Sequence, residues 1–411
     1  MNDLLPQDMA QWHKVESILR DVAWKYGYQE IRTPMLEKSA LFKQSIGDST
    51  DIVEKEMYNF VDAGEESLSL RPEATASTVR ACIEHGLLHN RQEKMWYMGP
   101  MFRREKPQKG RYRQFNQFGI EAFGWPGPDI DGEVIRIGER IWKSLNVDGI
   151  TLHLNTLGSE SSRINYRDAL KNYLTRYSND LDEDSKRRLE KNPLRILDSK
   201  VESTQVIVRE APSVMDFLEK EERQHFDQLC EHLHECGIEY LINPKLVRGL
   251  DYYTSTVFEW TTNQLGAQSA VCAGGRYDTL MEKRGGRSVP AIGFAMGIER
   301  LVELIQLQNK NILDENNTIY FIDVTDSGFF QSMKISEDLR DNGFSVINHM
   351  GGGKLKNQLK RADQSGARVA LIYGNNERER QCIKVKLLRE YSEQIELPVN
   401  GLVEWLNSNL S

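Results

Sequence analysis

The stretch from Met95 to Glu121 constrains the fold more than any other. Met95-Trp96-Tyr97-Met98 and Phe102-Arg103-Arg104-Glu105 read as one strand, and Gln114-Phe115-Asn116-Gln117-Phe118 alternates polar and aromatic residues as a half-buried strand does. Lys106 to Gly110, with Pro107 and Gly110, can only be the turn between them. Two arginines and a carboxylate on one strand thus face glutamines and a carboxylate, Glu121, on the next. From Lys94 to Arg113 there are seven Lys or Arg and one acid, Glu105, on a chain whose net charge is −8. Such a charge run is usually a solvated face. Here it is interleaved with aromatics on strands, where a face must pack or bind. Any polyanion would be held by local patches of this kind and not by the overall field.

The 411 residues suffice for two or three domains and a large core. Five cysteines, an odd number with no CxxC pair, suit a reducing compartment. No basic-then-apolar leader opens the chain, and no run approaches the roughly 20 apolar residues that span a bilayer. The reading is a cytoplasmic protein without membrane contact.

Residues 8–27 place Met9, Trp12, Val15, Ile18, Leu19, Val22 and Ala23 at helical spacing, and Tyr28 to Arg32 reads as a strand ending at Pro34. Met57 to Phe60 and Ser67 to Leu70 form a hairpin around Asp62-Ala63-Gly64. In Arg71-Pro72-Glu73-Ala74-Thr75 the proline stands just inside a helix running to His89. Glu73 and Thr75 then sit at a strand-to-helix corner, where Glu73 either caps the helix or meets a ligand. Residues 160–240 are charged and helical, an inserted module. Within it, Cys230-Glu231-His232-Leu233-His234-Glu235-Cys236 has a period of two, which on a helix splits its side chains between opposite faces and argues against zinc. Leu246 to Tyr253, Thr256 to Trp260 and Val271 to Asp278 read as strands, and Gly293 to Leu301 as the opening of a helix running to about Gln308. A polar, Asn-rich linker over 308–317 closes a first domain of residues 1–312. Residues 318–411 alternate strand and helix, an α/β domain. In it Gly351-Gly352-Gly353-Lys354 lacks the Ser or Thr of a P-loop, and five Lys or Arg against one acid between Gly352 and Arg368 make a candidate phosphate-contacting face.

Four arginines stand out: Arg103, Arg111, Arg248 and Arg300. A guanidinium stays charged and presents a planar fork, which suits holding phosphates in fixed geometry. Glu73 and Glu121 suit a cationic group such as an amine or imidazolium. Taken alone, the residues support a nucleotide site on an antiparallel sheet with a separate small α/β domain.

Phe102-Arg103-Arg104-Glu105 with Arg111-Tyr112-Arg113-Gln114-Phe115 resembles motif 2 of the class II aminoacyl-tRNA synthetases. Gly297-Ile298-Glu299-Arg300-Leu301 resembles their motif 3, and the helix and strand ending at Pro34 their motif 1 dimer element. Leu246-Val247-Arg248-Gly249-Leu250-Asp251-Tyr252-Tyr253 and Ala273-Gly274-Gly275-Arg276-Tyr277-Asp278 are narrower and resemble signatures of the histidyl-tRNA synthetase family. The resemblance covers essentially the whole chain. It implies an α+β catalytic domain on an antiparallel sheet, the class II synthetase fold, carrying the helical insertion. It also implies a C-terminal α/β anticodon-binding domain with a mixed sheet.

The implied reaction activates histidine with ATP to histidyl-adenylate and passes the histidyl group to the 3′-terminal adenosine of tRNA(His). By matched motif position, Arg103 would hold the α-phosphate, Glu105 and Phe115 the adenine, Arg300 the γ-phosphate, and Arg111 would also contact ATP. Arg248 would stabilise charge at the α-phosphate opposite Arg103. Mg2+ would bridge the ATP phosphates, with no site made by the protein alone. Glu73, Thr75 and Gln117 would bind the amino group, Glu121 and Tyr253 the imidazole, and Tyr277 would line the pocket. Gln108 and Arg111 would meet the acceptor end of the tRNA, and the motif 1 likeness implies a homodimer. Two departures stand out. Ala74 replaces a glycine common in the family, with a methyl that would narrow the amino-group pocket. Met1-Asn2-Asp3 stands where relatives carry a short preceding Arg-Gly segment. The rivals are a synthetase-like regulatory subunit of ATP phosphoribosyltransferase, which typically lacks the anticodon domain and the Arg248 to Tyr253 signature, and a pure RNA-binding module, which would leave Glu73, Glu121 and Tyr253 without a task.

Overall fold

A computed structural model describes residues 2–48, 50–106, 110–266, 270–310, 317–326, 330–390 and 393–410. Gln108 and the segment 311–316 of the expected linker lie outside them. The chain divides into two compact units, Met1–Ile312 and Leu313–Ser411. Among the described residues no helix is long and apolar enough to cross a membrane.

The strands of the first unit are β1 (Gln29–Glu30), β2 (Leu36–Lys38), β3 (Tyr58–Val61), β4 (Ser67–Leu70), β5 (Glu93–Phe102), β6 (Gln114–Phe123), β7 (Thr151–Thr156), β8 (Leu241–Ile242), β9 (Thr256–Thr261), β10 (Ala270–Arg276) and β11 (Ala291–Gly297). Eight of them form one sheet in the order β1-β5-β6-β11-β10-β9-β7-β8. It is antiparallel except at its edges, where β1 runs parallel to β5 and β8 to β7. β2, β4 and β3 make a small antiparallel sheet. The helices are α1 (Pro6–Lys25), α2 (Ser39–Ile46), α3 (Thr75–Glu84), α4 (Pro128–Ser144), α5 (Glu160–Thr175), α6 (Glu183–Lys191), α7 (Glu202–Arg209), α8 (Lys220–Glu235), α9 (Leu280–Lys283) and α10 (Ile298–Leu307).

α1 begins at Pro6, whose missing N–H costs nothing there, and buries Trp12, Val15, Leu19, Val22 and Ala23. Each large side chain so buried contributes about 1.5–3 kcal/mol. With α4, α8 and α10 it makes the main core against Phe118, Ile120, Phe258, Trp260 and Phe294 of the sheet. The insertion keeps its own core, with Tyr166, Leu170 and Leu174 of α5, Leu189 of α6 and Val208 of α7. α8 belongs to the main core through Phe226, Leu229 and Leu233, so the stretch with a separate core ends before it. Cys230 and His232 lie on this helix, and the His232 ring fills the space a Cβ at Gly132 would take.

Four readings of the sequence are corrected. The β5–β6 ladder ends at Phe102 opposite Gln114, so Arg103 to Glu105 are not on the strand. Arg103 N–H still reaches the Arg113 carbonyl at 2.9 Å, but Arg104 N–H turns to Glu56, 2.6 Å away. Leu246 to Tyr253 is a loop, because its backbone pairs with scattered partners and not with a neighbouring strand. Gly293 to Gly297 belongs to central strand β11, and the helix begins only at Ile298. Helix α3 starts at Thr75, beyond Pro72, and ends at Glu84.

In the second unit β12 (Thr318–Asp323), α11 (Phe330–Asp341), β13 (Ser345–Asn348), α12 (Leu355–Gln364), β14 (Val369–Tyr373), α13 (Asn375–Glu379), β15 (Cys382–Leu387), β16 (Ile395–Pro398) and α14 (Leu402–Leu410) follow in turn. The sheet order is β13-β12-β14-β15-β16, parallel across the first three strands and antiparallel across the last two. The sequence reading missed α13 and β16, both short.

A buried ion pair crosses the first unit. Asp131, in the first turn of α4, takes Arg276 at the end of β10 through two oxygens, at 2.7 and 3.0 Å. Thr256 of β9 and His225 of α8 also bond Asp131, at 2.7 and 2.9 Å. Asp131→Ala would strand the Arg276 charge in the core, so unfolding in urea is expected to show a loss of about 3–5 kcal/mol. His225→Gln, at the partly exposed rim of the cluster, should cost far less.

Candidate active site

Alternate residues of β6 point to one face of the sheet, so Phe115, Gln117 and Glu121 all enter one cavity. From β11, Gly293, Ala295 and Gly297 line it, and from β10 Ala270 to Ala273. The strand-to-helix corner adds Glu73 and Thr75, and the Leu246 to Tyr253 loop adds Arg248, Leu250, Tyr252 and Tyr253. Arg103, Glu105 and Arg111 enter from the hairpin turn, and Glu299 and Arg300 from the first turn of α10. Every residue expected to meet ATP or histidine lines this cavity, while Gln108, expected at the tRNA acceptor end, lies outside the described residues.

One end is acidic. Glu121 is fully buried and stands opposite Gly293 on β11, where a Cβ would come within 1.9 Å of its carboxyl oxygen. Thr75 Oγ1 donates to it at 2.6 Å, and the Tyr277 hydroxyl donates to its other oxygen. Burial pushes the Glu121 carboxyl up to about 8 against the pull of those two hydroxyls, and the neighbouring Glu73 charge adds to the rise. Glu73 accepts the N–H groups of Thr75 (2.6 Å) and Ala76 (3.1 Å), the first amides of α3. It therefore caps the helix and lines the cavity at once. Burial raises it too, although those amides and Arg103 favour the charge. Among the described residues Gln117 Oε1 is buried without a hydrogen-bond partner, an acceptor left over for a ligand. Tyr252 packs on Tyr253 at 4.7 Å and edge-on to Tyr277 at 5.6 Å. Ala74 is not part of the lining. Its methyl is buried with Tyr97 and Met101, so it does not narrow the pocket.

The other end is cationic. Arg103 donates from Nε to the Pro72 carbonyl at 2.9 Å and stands over the Phe115 ring at 5.3 Å. Arg111 pairs with Glu105. Arg300 donates to the carbonyls of Ala270 and Gly110. Burial lowers all three guanidiniums below the usual arginine range, and for Arg300 the charges of Arg111 and Arg103 lower it further. Arg248 donates to Glu259 of β9 at 2.9 Å and lies 6.0 Å from the Tyr253 ring centre. Burial opposes its charge, and Glu259 and Tyr253 outweigh it. The arrangement suits a ligand with an anionic end among arginines and a cationic or hydrogen-bonding end at buried carboxyls.

Sequence reasoning gave no role to Glu259 or Glu299. Glu259 alternates with aromatics in Phe258-Glu259-Trp260, a charged residue on an otherwise apolar strand, and that oddity was the available signal. Glu299 accepts the backbone and side-chain amides of Asn116 at 2.8 and 3.1 Å, tying α10 to β6. Burial brings it up to about 7.

A family model for histidyl-tRNA synthetase matches residues 1–301, and one for an anticodon binding domain matches residues 322–409. The apo histidyl-tRNA synthetase of S. aureus is 34% identical, over 99% of this chain and 98% of that one, with a TM-score of 0.82. The histidyl-tRNA synthetase of Nostoc sp. PCC 7120 shares the fold at 19% identity and a TM-score of 0.74, over 100% and 98% of the two chains. A protein of Bacillus halodurans described as an ATP phosphoribosyltransferase regulatory subunit/histidyl-tRNA synthetase shares it at 22% and 0.66, over 91% and 97%. The class II synthetase fold read from the sequence is thus the fold observed.

Glu121 makes stability depend on pH. Folded, its carboxyl holds a proton up to about pH 8, whereas unfolded it releases it near the ordinary value of 4.5. The folded state binds the extra proton between these values, so this residue costs stability as pH rises through that window. Glu121→Gln removes the effect. Thermal denaturation should show the variant gaining on the wild type from pH 5 to pH 8 and no further above that. A difference that does not change with pH would contradict the assignment.

Proposed function

We propose that this chain, which belongs to the histidyl-tRNA synthetase family, is a histidine–tRNA ligase. The observation that carries the reading is one cavity lined by Arg103, Arg248 and Arg300 together with Glu73, Thr75, Gln117, Glu121, Tyr253 and Tyr277.

In the first step a histidine carboxylate oxygen attacks the α-phosphorus of ATP. The new O–P bond forms as the bond to the β-phosphate oxygen breaks, giving histidyl-adenylate and pyrophosphate. Most of the catalysis in such a transfer is positioning and charge stabilisation. Arg103 holds the α-phosphate from one side and Arg248 from the other, where charge builds up in the transition state. Arg300 takes the γ-phosphate. Arg111 contacts ATP, while Phe115 and Glu105 receive the adenine. Gln117, with its spare acceptor, Glu73 and Thr75 take the amino group. Glu121 and Tyr253 hold the imidazole, and Tyr277 steadies Glu121. A site that bonds both polar ends of its substrate rejects analogues lacking either.

The cavity's carboxyls are engaged within the protein: Glu73 by amides, Glu105 by Arg111, Glu121 by hydroxyls and Glu299 by Asn116. That fits Mg2+ being brought by the ATP phosphates, whose charge it would neutralise. Arg103, Arg248 and Arg300 supply the rest of the positive charge. In the second step a hydroxyl of the 3′-terminal adenosine of tRNA(His) attacks the histidyl carbonyl and AMP leaves. Gln108 and Arg111 meet that acceptor end, and the second unit binds the anticodon. The domain scheme follows: catalytic over 1–312 with its helical insertion, a linker about 308–317, and an anticodon-binding domain over 318–411. The motif 1 likeness of α1 and the strand before Pro34 supports a homodimer, and the five free cysteines agree with the cytoplasm.

ATP–pyrophosphate exchange tested with each amino acid decides the reading. Exchange with histidine alone is expected. None with histidine, or equal exchange with others, sinks it, and absence altogether favours the regulatory-subunit alternative. Arg248→Ala should slow exchange by orders of magnitude while the dissociation constant of histidine barely moves. A collapse of histidine affinity would assign Arg248 a binding role.

A further inference from the structure

The Leu246 to Tyr253 loop has no strand ladder to hold it, yet it carries Arg248 and Tyr253 into the cavity. Two arginines of the helical insertion reach it. Arg163 of α5 donates to the Tyr253 carbonyl at 2.7 Å. Arg195, in the 3-10 turn Pro193–Asp198, donates to the Gly249 carbonyl at 2.9 Å and to the Asp251 carboxylate at 3.1 Å. The Arg195 side chain is only 12% exposed. Asp251 in turn is fixed to the main unit by its own N–H, 2.9 Å from the Ile46 carbonyl, and its carboxylate lies against Gly47, 2.5 Å from where a Cβ would stand. Val247 packs on the insertion core.

The loop is also a partition. Arg248, Leu250 and Tyr253 line the cavity described above and equally a second one, on the insertion side, with Arg163, Arg167, Lys191 and Arg195. A wall with open space on both sides keeps its shape only if something ties it. The ties at Gly249 and Tyr253 fall next to the two functional side chains: one is at the residue after Arg248, the other at Tyr253 itself. Charged donors make these hydrogen bonds stronger than amide–carbonyl bonds.

We propose that Arg163 and Arg195 are positioning residues for histidine activation, holding from the insertion the loop on which Arg248 and Tyr253 stand. The proposal rests on the ligase reading of the cavity. It makes the insertion part of the adenylation machinery, so its effect is present without tRNA. Neither arginine touches substrate. Each acts through the backbone it grips.

The test uses the full chain and the variants Arg163→Ala, Arg195→Ala, Arg163→Lys and Arg195→Lys. Pyrophosphate exchange without tRNA should fall about ten- to a hundredfold in kcat in the alanine variants, as expected of ångström-scale misplacement. The KM for histidine should rise and that for ATP should stay near wild type. Lysine can still make one charged bond, so the lysine variants should recover much of the loss. Hydrogen exchange should speed up at the amides of residues 247–254 and stay unchanged in β5 and β6. Unchanged loop protection in both alanine variants overturns the proposal, as does a loosened loop with unchanged kinetics. If an alanine variant loses protection throughout, its lysine counterpart decides. A loop and a histidine KM both at wild-type values, with activity reduced alongside melting temperature, would mark a merely structural role and overturn the proposal. If the wild type shows no histidine-dependent exchange, the ligase reading has failed, while loop protection still reports whether the two arginines hold the loop.

Discussion

The pairing of Arg276 with Asp131 sets the geometry on which the cavity depends. Two ions withdrawn from water impose a penalty of several kcal/mol each, recovered only if their geometry is good and every remaining donor is met. Arg276 meets that condition. Besides the Asp131 carboxylate it donates to the carbonyls of Trp125 and Gly127. Burial works against its charge, and Asp131 first and Asp278 second outweigh it. Its partners Asp131, Trp125 and Gly127 lie in α4 and in the residues just before it, which ties the end of β10 to the start of α4. Its position therefore fixes the next two residues. Tyr277 turns its hydroxyl onto Glu121, and Asp278 accepts the Ala291 N–H at 2.8 Å, which starts β11. A structural ion pair thus sets the register of the strands that carry the site.

Within that register the glycines decide what the strands can hold. A Cβ at Gly275 would meet the Thr256 carbonyl at 2.5 Å and the Tyr253 ring at 3.0 Å, and one at Gly119 would meet the Tyr97 ring at 2.3 Å. With Gly293 opposite Glu121, three adjacent strands leave out side chains where a carboxyl and an aromatic ring need room. The sheet is a platform because its centre is bare there, and the polar groups rising from it belong to its neighbours. This is why Glu121 can be buried beside Thr75 and Tyr277 without distorting the backbone.

The sequence displayed these parts unevenly, for reasons the structure makes plain. The β5–β6 hairpin was legible because alternation marks a half-buried strand, and of the three strands that line the cavity β6 and β10 were legible and β11 was not. β11 was read as helix because Ala291 to Gly297 is an apolar run buried on nearly every residue, and such a run carries no period to distinguish the two. Leu246 to Tyr253 looked like a strand because it is rich in apolar and aromatic residues. Leu246, Tyr252 and Tyr253 are buried and Val247 and Leu250 half-buried, but the backbone is held by Arg163, Arg195, Asn155 and Ile46, and long-range partners leave no local trace. The end of β5 failed to show for the same reason, since Glu56 draws Arg104 away. Glu73 offered two readings, cap or ligand contact, and its carboxylate at the first amides of α3 faces the cavity as well. The residue chemistry pointed to one site, and only the fold brought its pieces together.

The charge balance of the cavity gives the final argument about its occupant. At the cationic end Glu105 pairs with Arg111 and lies 3.9 Å from Arg103, while Arg103 and Arg300 donate to backbone carbonyls. Arg300 feels Arg111 and Arg103 strongly enough to be lowered by them, so these guanidiniums are held together at an electrostatic cost in the protein alone. At the acidic end burial raises both carboxyls, the Glu73 charge adds to the rise of Glu121, and Glu121 keeps its proton to about pH 8. Both strains have the same remedy. A polyanion among the arginines and a cationic or proton-sharing group at the carboxyls would each relieve repulsion that folding alone leaves in place. Preorganised repulsion of this kind is what a site for charged ligands requires, because the groups need not move when charge develops between them.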